Sequence, residues 1–152
     1  MSVENDGLYM AFAGGTGILT FMDLVAHIAK IVLMNNVKSR TSINPDTTDF
    51  EEKGKIRLIL FASFVNEETS IGLQLCRLLH DFCESRGLDN FKLVLRLSSN
   101  KGPRWDAKWI GKQFENVSVK DLKKAWVCGP PPMTETFDKT FEDLLLAGHQ
   151  GL

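Results

Sequence analysis

The sequence predicts a single three-layer α/β domain, in which an open parallel sheet carries helices on both faces. Apolar runs of strand length alternate with segments of helical periodicity along the 152 residues. The strand-length runs are almost continuously apolar, which is typical of parallel strands that are covered on both sides. Right-handed crossovers then bring the loops that follow the strands to one edge of the sheet, where ligands bind in folds of this class.

The first strand and the first helix meet at a glycine turn. Residues 8–13 form an apolar run that stops at Gly14 and Gly15, and helical spacing begins after Gly17. We interpret the apolar stretch 18–34 as an amphipathic core helix, because it is shorter than the ~20 apolar residues that span a bilayer. Its polar residues recur every three or four positions and form one wet face: Thr20, Asp23, His27 and Lys30.

The middle of the chain continues the alternation. Residues 35–55 hold almost no apolar side chains and are predicted to form a long loop or lid. Ile56–Phe64 is a second apolar strand, and residues 71–84 show helical spacing before a stop at Gly87. Phe91–Leu97 is the third predicted strand.

The last third of the chain supplies a loop, a strand and a helix. The third strand is followed by a polar loop that is rich in lysine, arginine, serine and glycine. A fourth strand, residues 125–128, ends at Gly129 and three prolines, and residues 133–146 then show apolar side chains on one side of a helix. No internal repeat is found, so we expect one domain over residues 1–152.

Composition limits the possible functions. The chain is 43% hydrophobic and 24% charged with a formal net charge of −1, so no strong field favours nucleic acid or an acidic membrane as a partner. Its three cysteines, Cys76, Cys83 and Cys128, show no paired spacing and indicate reduced thiols in an intracellular protein, with the first two in the core. The polar, acidic start does not have the pattern of a signal peptide. The three histidines are scattered singly, so we expect no metal site: His27, His80 and His149.

The first candidate site is the turn after strand one, with the sequence Ala-Gly-Gly-Thr-Gly-Ile at residues 13–18. Glycines let a phosphate approach the backbone, and the start of the helix offers free N–H groups to it. The turn is neither a P-loop nor a full G-x-G-x-x-G motif, because Thr20 stands where the third glycine belongs. A turn that merely joins the strand to the helix remains the alternative. The candidate cofactor-binding residues here are Gly14, Gly15, Thr16 and Gly17.

The second candidate site follows strand four, with the sequence Cys-Gly-Pro-Pro-Pro-Met at residues 128–133. The prolines stiffen the turn, and Cys128 at the tip of the strand faces whatever binds at the edge of the sheet. The alternative is a buried strand cysteine before a rigid loop. Further candidates are Gly129, Pro130 and Met133.

Together, in this order and separation, the two turns resemble those of the NAD(P)H domain of the ferredoxin–NADP reductase superfamily. This superfamily includes nitrate reductase flavoproteins, cytochrome b-type reductases, ferric reductases and NADPH oxidases. The similarity covers nearly the whole chain and includes Phe91 to Leu93 and the pair Trp105 and Asp106. It implies a Rossmann-like fold and a flavin-dependent oxidoreductase that uses NADPH or NADH.

The resemblance also implies roles for individual residues. Gly15, Thr16 and Gly17 approach the pyrophosphate. Cys128 and Gly129 border the nicotinamide where hydride passes to a flavin, which makes Cys128 the candidate catalytic residue, and Pro130 and Met133 line the same pocket. Because the cofactors carry the chemistry, the protein is expected to position them rather than to supply acid or base groups.

The chain departs from the superfamily pattern in three respects. Thr20 replaces the proline expected two residues after Ile18, and the segment 35–55 is longer than expected. The FAD-binding domain is absent, so we predict that the purified chain carries no flavin and is inactive alone. A parent protein would then supply that domain as a partner, in the cytoplasm or on the cytosolic face of a membrane. The alternative is a stand-alone nucleotide-binding or structural subunit.

The choice between NADPH and NADH is predicted to depend on the loop after strand three. NADH-selective relatives often carry an acidic residue there, which repels a 2′-phosphate. This chain instead has four hydroxyl or basic residues, which suit a phosphate and favour NADPH. An ordinary solvated basic loop is the alternative. These residues are Ser98, Ser99, Lys101 and Arg104.

Overall fold

The computed structural model describes residues 3–4, 6–41, 56–68, 70–98, 105–115, 117 and 121–146. A 3-10 helix at Gly15–Phe21 joins the first strand to the first α-helix. The strands are β1 Gly7–Gly14, β2 Ile56–Phe64, β3 Phe91–Leu97 and β4 Leu122–Cys128, and the helices are α1 Met22–Thr41, α2 Leu73–Ser85, α3 Ala107–Glu115 and α4 Pro131–Leu146.

The four strands form one parallel sheet in the order β3-β2-β1-β4. This arrangement confirms the predicted α/β class, with β1 and β2 as the central strands. The chain leaves β1 for β2 on one side, whereas β4 pairs with β1 on the other side. The strand order therefore reverses between β1 and β4, and in open α/β sheets the crevice at such a point is the usual binding site.

The two faces of the sheet carry different cores. On one face, mainly aliphatic side chains of the strands pack against the 3-10 helix, α1 and α2, and the buried thiols of α2, Cys76 and Cys83, lie in this core. The other face is dominated by aromatic rings: Phe12, Phe61, Phe114 and Phe137 are buried, and Trp105 and Trp109 pack against them. The helices therefore lie on both faces, as the apolar strands predicted.

The first helical segment confirms the predicted wet face. Thr20, Asp23, His27 and Lys30 are all exposed, while six apolar side chains of the same segment belong to the core: Ile18, Phe21, Leu24, Val25, Ile28 and Val32. By length and composition alone, Gly15–Asn36 is also long and apolar enough to cross a membrane. Its packing against the sheet favours the core-helix interpretation, since core helices pass the same test.

Several local predictions need correction, the first being the start of β4, which lies at Leu122 rather than at residue 125. The segment predicted to be a loop from Asn35 is helical as far as Thr41, because extending an existing helix costs far less than starting one, and Asn36 accepts a hydrogen bond from Arg86. Residues 42–55 lie outside the described ranges. The helix expected directly after Gly17 begins as a 3-10 helix. The polar loop between β3 and β4 contains α3, which the sequence reading overlooked.

Candidate functional site

The two glycine-containing turns lie side by side at the carboxyl edge of the sheet. Ala13 of β1 pairs with Cys128 of β4 in the parallel register, so the turns that follow both strands leave the sheet at neighbouring positions. This is the point where the strand order reverses. The fold thus brings together two motifs that are more than a hundred residues apart in the sequence.

Three of the glycines are needed because the turns pack tightly against each other. A Cβ on Gly17 would collide with the backbone carbonyl of Cys128. A Cβ on Gly14 would lie 2.7 Å from the Met133 sulfur and 2.9 Å from Cδ of Pro130, and one on Gly129 would lie 2.6 Å from the same sulfur. Such distances exclude a larger residue unless a neighbour moves. These glycines therefore shape the contact between the turns.

Gly15 and Thr16 form the open part of the first turn. Gly15 has a φ of 54°, in the left-handed region that favours glycine, and a Cβ there would meet no described atom within 4 Å. Thr16 is exposed. Because the residue before the 3-10 helix is Gly14, no side chain caps the first N–H groups of that helix. A phosphate could approach the backbone at this point of the edge.

Cys128 is the first residue of the second turn, and its sulfur lies against the 3-10 helix. Its Sγ is 3.2 Å from Oγ1 of Thr20, and the side chain is half-buried. Thr20 stands where the superfamily pattern that the sequence resembles has a proline, so this departure creates a polar contact with the candidate catalytic thiol.

The second turn is fixed by the start of α4. The carbonyl oxygen of Pro130 accepts hydrogen bonds from the N–H groups of Met133 at 2.9 Å and Thr134 at 3.2 Å. Pro131 is the first residue of the helix, where the missing N–H of proline costs nothing. Helix α4 therefore starts two residues earlier than predicted. Its proline-rich first turn holds Met133 over Gly14 and Gly129.

Aromatic rings pack on the sheet next to the two turns. Phe12, two residues before Gly14 on the same face of β1, stacks on Phe61 with ring centroids 4.6 Å apart and contacts Phe137 of α4 at 4.7 Å. Trp105 meets Phe12 edge to face. Since the rings join β1, β2 and α4, they link the end of β1, before the first turn, to the helix that follows the second turn.

The selectivity loop predicted after β3 is described only in part. Ser98 directly follows β3 and is exposed, whereas Ser99, Lys101 and Arg104 lie outside the described residues. The structure shows instead a cation that the sequence reading passed over. Nη1 of Arg96, near the end of β3, donates a hydrogen bond to Oγ of Ser63 on β2 at 2.9 Å. The sequence could have identified Arg96 as a candidate, because an arginine is unusual in a strand that is otherwise largely apolar.

An exposed ion pair borders the same edge. Arg77 of α2 donates two hydrogen bonds to Glu67, at 2.6 and 3.0 Å, in the loop that follows β2. The bonds to this guanidinium, and its positive charge, lower the pKa of the Glu67 carboxyl. The pair fixes one end of the loop to α2.

A cavity lies at the amino edge of the sheet, opposite the two turns. The starts of the strands border a cavity of about 610 Å³ whose walls carry charges of both signs, among them Arg57, Lys92 and Asp121. Next to it on α2, the side chains of His80, Asp81 and Glu84 bring ligand atoms within 4.8 Å of one another. His80 also accepts a long hydrogen bond from the N–H of Leu93. Exposed groups of this kind are common without a bound metal ion.

Comparison of the chain with models of known protein families and with curated proteins finds no match. The residues at the carboxyl edge and their geometry are therefore the basis for proposing a function.

Proposed function

We propose that this chain is the pyridine-nucleotide-binding domain of a flavin-dependent NAD(P)H reductase, and that it presents the nicotinamide to an FAD held by a separate domain. The observation that carries the proposal is the pairing of β1 with β4, which sets the turn at residues 14–17 beside the turn at residues 128–133. The two motifs that resemble the superfamily thus form one edge at the point where the strand order reverses.

The residues at this edge fit a dinucleotide. Gly15 and Thr16 offer open backbone for a diphosphate, and Cys128 and Gly129 are half-exposed one strand away, where the nicotinamide would lie. These residues would hold a nicotinamide whose chemistry is hydride transfer, in which two electrons and one proton would pass to the flavin and NAD(P)⁺ would remain. The described residues position the donor, and the tight contact between the turns limits their movement.

The glycines also support the alternative of a nucleotide-binding or structural subunit without catalysis. Gly14, Gly17 and Gly129 are accounted for by packing between the turns. What distinguishes a binding site from a mere junction is whether the open stretch at Gly15 and Thr16 holds a phosphate.

Calorimetric titration of the purified chain with NADPH and with NADH tests the proposal. We expect binding of at least one nucleotide, and we expect Thr16→Glu to weaken it about tenfold or more, because the carboxylate repels the diphosphate. Ala26→Glu adds the same charge at an exposed position of α1 and should leave affinity unchanged. Absence of binding by the wild type, or equal affinity of the wild type and the Thr16 variant, would contradict the proposal.

A second measurement separates the reductase from the subunit without catalysis. The parent protein that contains the flavin domain should reduce its flavin on addition of NAD(P)H, and Thr16→Glu should slow this reduction at limiting nucleotide concentration. Nucleotide binding without flavin reduction would favour the alternative.

A further inference from the structure

Arg96 places a positive charge at the carboxyl edge of the sheet, away from the two glycine turns. Its guanidinium donates to Oγ of Ser63 on the neighbouring strand at 2.9 Å, and both side chains are half-buried. The bond across the strands fixes the position of the cation. A guanidinium offers a planar fork of N–H donors that suits phosphate oxygens.

The strand register connects this cation to the proposed nucleotide site. Arg96 pairs with Ser63, and Ser63 pairs with Gly14, so the three residues form one row across β3, β2 and β1. Side chains that lie directly across parallel strands share a face. Arg96 and Ser63 therefore lie on the same face as Met133, which packs over Gly14 at the end of that row.

The order of the strands corresponds to the order of the parts of a dinucleotide. In the proposed function, which this inference assumes, the nicotinamide lies at Cys128 on β4 and the diphosphate at the turn after β1. The adenosine then extends toward β2 and β3, since neighbouring strands are about 4.8 Å apart and β3 lies about 10 Å from β1. The 2′-phosphate that distinguishes NADPH from NADH belongs to this adenosine end.

We infer that Arg96, held by Ser63, is a specificity residue that binds the 2′-phosphate of NADPH. Ser98, two residues further along the chain, is exposed and adds a hydroxyl group directly after the end of β3. The phosphate would be recognised by a cation on a strand of the sheet, whose position is fixed by the register. This differs from recognition by the polar loop that follows β3.

The test compares Arg96→Gln with Lys92→Gln by calorimetric titration. Lys92 is on the same strand and the same face but near the amino edge, roughly 13 Å away by strand geometry, so its variant loses an equal charge away from the site. The probes are NADPH and NADH, together with 2′-AMP and 5′-AMP, which separate the 2′-phosphate from the rest of the dinucleotide.

We expect Arg96→Gln to lower the affinities for NADPH and 2′-AMP about tenfold or more. The affinities for NADH and 5′-AMP should change less than about twofold. Lys92→Gln should leave all four affinities unchanged. Ser63→Ala, which removes the hydrogen-bond acceptor but keeps the charge, should produce a smaller loss for the same two ligands, and it serves as the test if Arg96→Gln does not fold.

The outcomes separate this inference from the proposed function. One outcome is that the wild type binds both dinucleotides while Arg96→Gln leaves both affinities unchanged or lowers both equally. In that case the inference is wrong and the proposed function stands. If the wild type binds no nucleotide, both are wrong.

Discussion

The two edges of the sheet are built in opposite ways. At the carboxyl edge two turns pack so closely that Gly17 has no room for a Cβ against the carbonyl of Cys128. At the amino edge the strands open into a cavity of about 610 Å³ lined by both apolar and charged residues, and the atoms nearest to a Cβ on Gly7 belong to the flexible side chain of Lys123. The difference indicates that the candidate site is held by backbone packing, whereas the opposite edge can adjust.

The largest effect should come from filling the contact between the turns. Gly17→Ala forces Cβ against the backbone of Cys128, and β4 cannot move away easily because it is paired with β1. We expect a loss of about 2–3 kcal/mol in the free energy of unfolding, measured by urea denaturation.

Two other glycines serve as matched controls for this substitution. Gly7→Ala at the amino edge should cost less, about 1–2 kcal/mol, because the strain there comes from its φ of 94° and the neighbouring lysine side chain can move. Gly111→Ala, in open space within α3, should stabilise the chain by about 0.5–1 kcal/mol. Equal losses at Gly17 and Gly7 would mean that the two edges are packed alike.

The comparison also shows what could be predicted from sequence. The bounds of β2 and β3 were predicted correctly, because each is a largely apolar run of strand length. The two turns were identified from glycine and proline, whose backbone preferences are local. The parallel order predicted that both turns lie at the same edge of the sheet, but their contact at Gly17 depends on atomic positions that no local pattern contains.

Two elements of the site were missed for physical reasons. Helix α3 has a glycine at its centre, and only Ile110 and Phe114 are fully buried on it, so its apolar pattern is short. Its start is marked by Asp106, whose carboxylate accepts a hydrogen bond from the N–H of Trp109. Arg96 was missed because its partner, Ser63, lies on another strand, and a pairing across strands depends on the register.

A smaller effect is expected from the buried thiol of Cys76, which should make the free energy of unfolding depend on pH. Cys76 is fully buried on the inner side of α2, and burial raises its pKa to about 11. Because an unfolded cysteine has a pKa of about 8.5, the unfolded chain loses this proton first. The free energy of unfolding should therefore fall as the pH rises from about 9 to about 11, by at most about 1.4 kcal/mol per pH unit.

Urea denaturation at pH 8, 9 and 10 measures this dependence. Cys76→Ala removes the titrating group, so the difference in stability between wild type and variant should shrink as the pH rises, while Cys83 and the other groups are the same in both proteins. A difference that stays constant over this range would show that the Cys76 thiol titrates normally in the folded chain.

The smallest effect is expected at a side-chain contact between the 3-10 helix and the end of β4. Thr20 and Cys128 approach to 3.2 Å, but Thr20 is exposed, Cys128 is only half-buried and sulfur is a weak hydrogen-bonding partner. A double-mutant cycle of Thr20→Val and Cys128→Ala should therefore give a coupling energy below about 1 kcal/mol. Neither substitution adds an atom at Gly17, whose contact is with the backbone of residue 128. A small coupling energy beside a large loss for Gly17→Ala would show that backbone packing holds this edge rigid while its polar side chains remain open to a ligand. A coupling energy above about 2 kcal/mol would mean that the contact is shielded from water and that the side chains themselves close the edge.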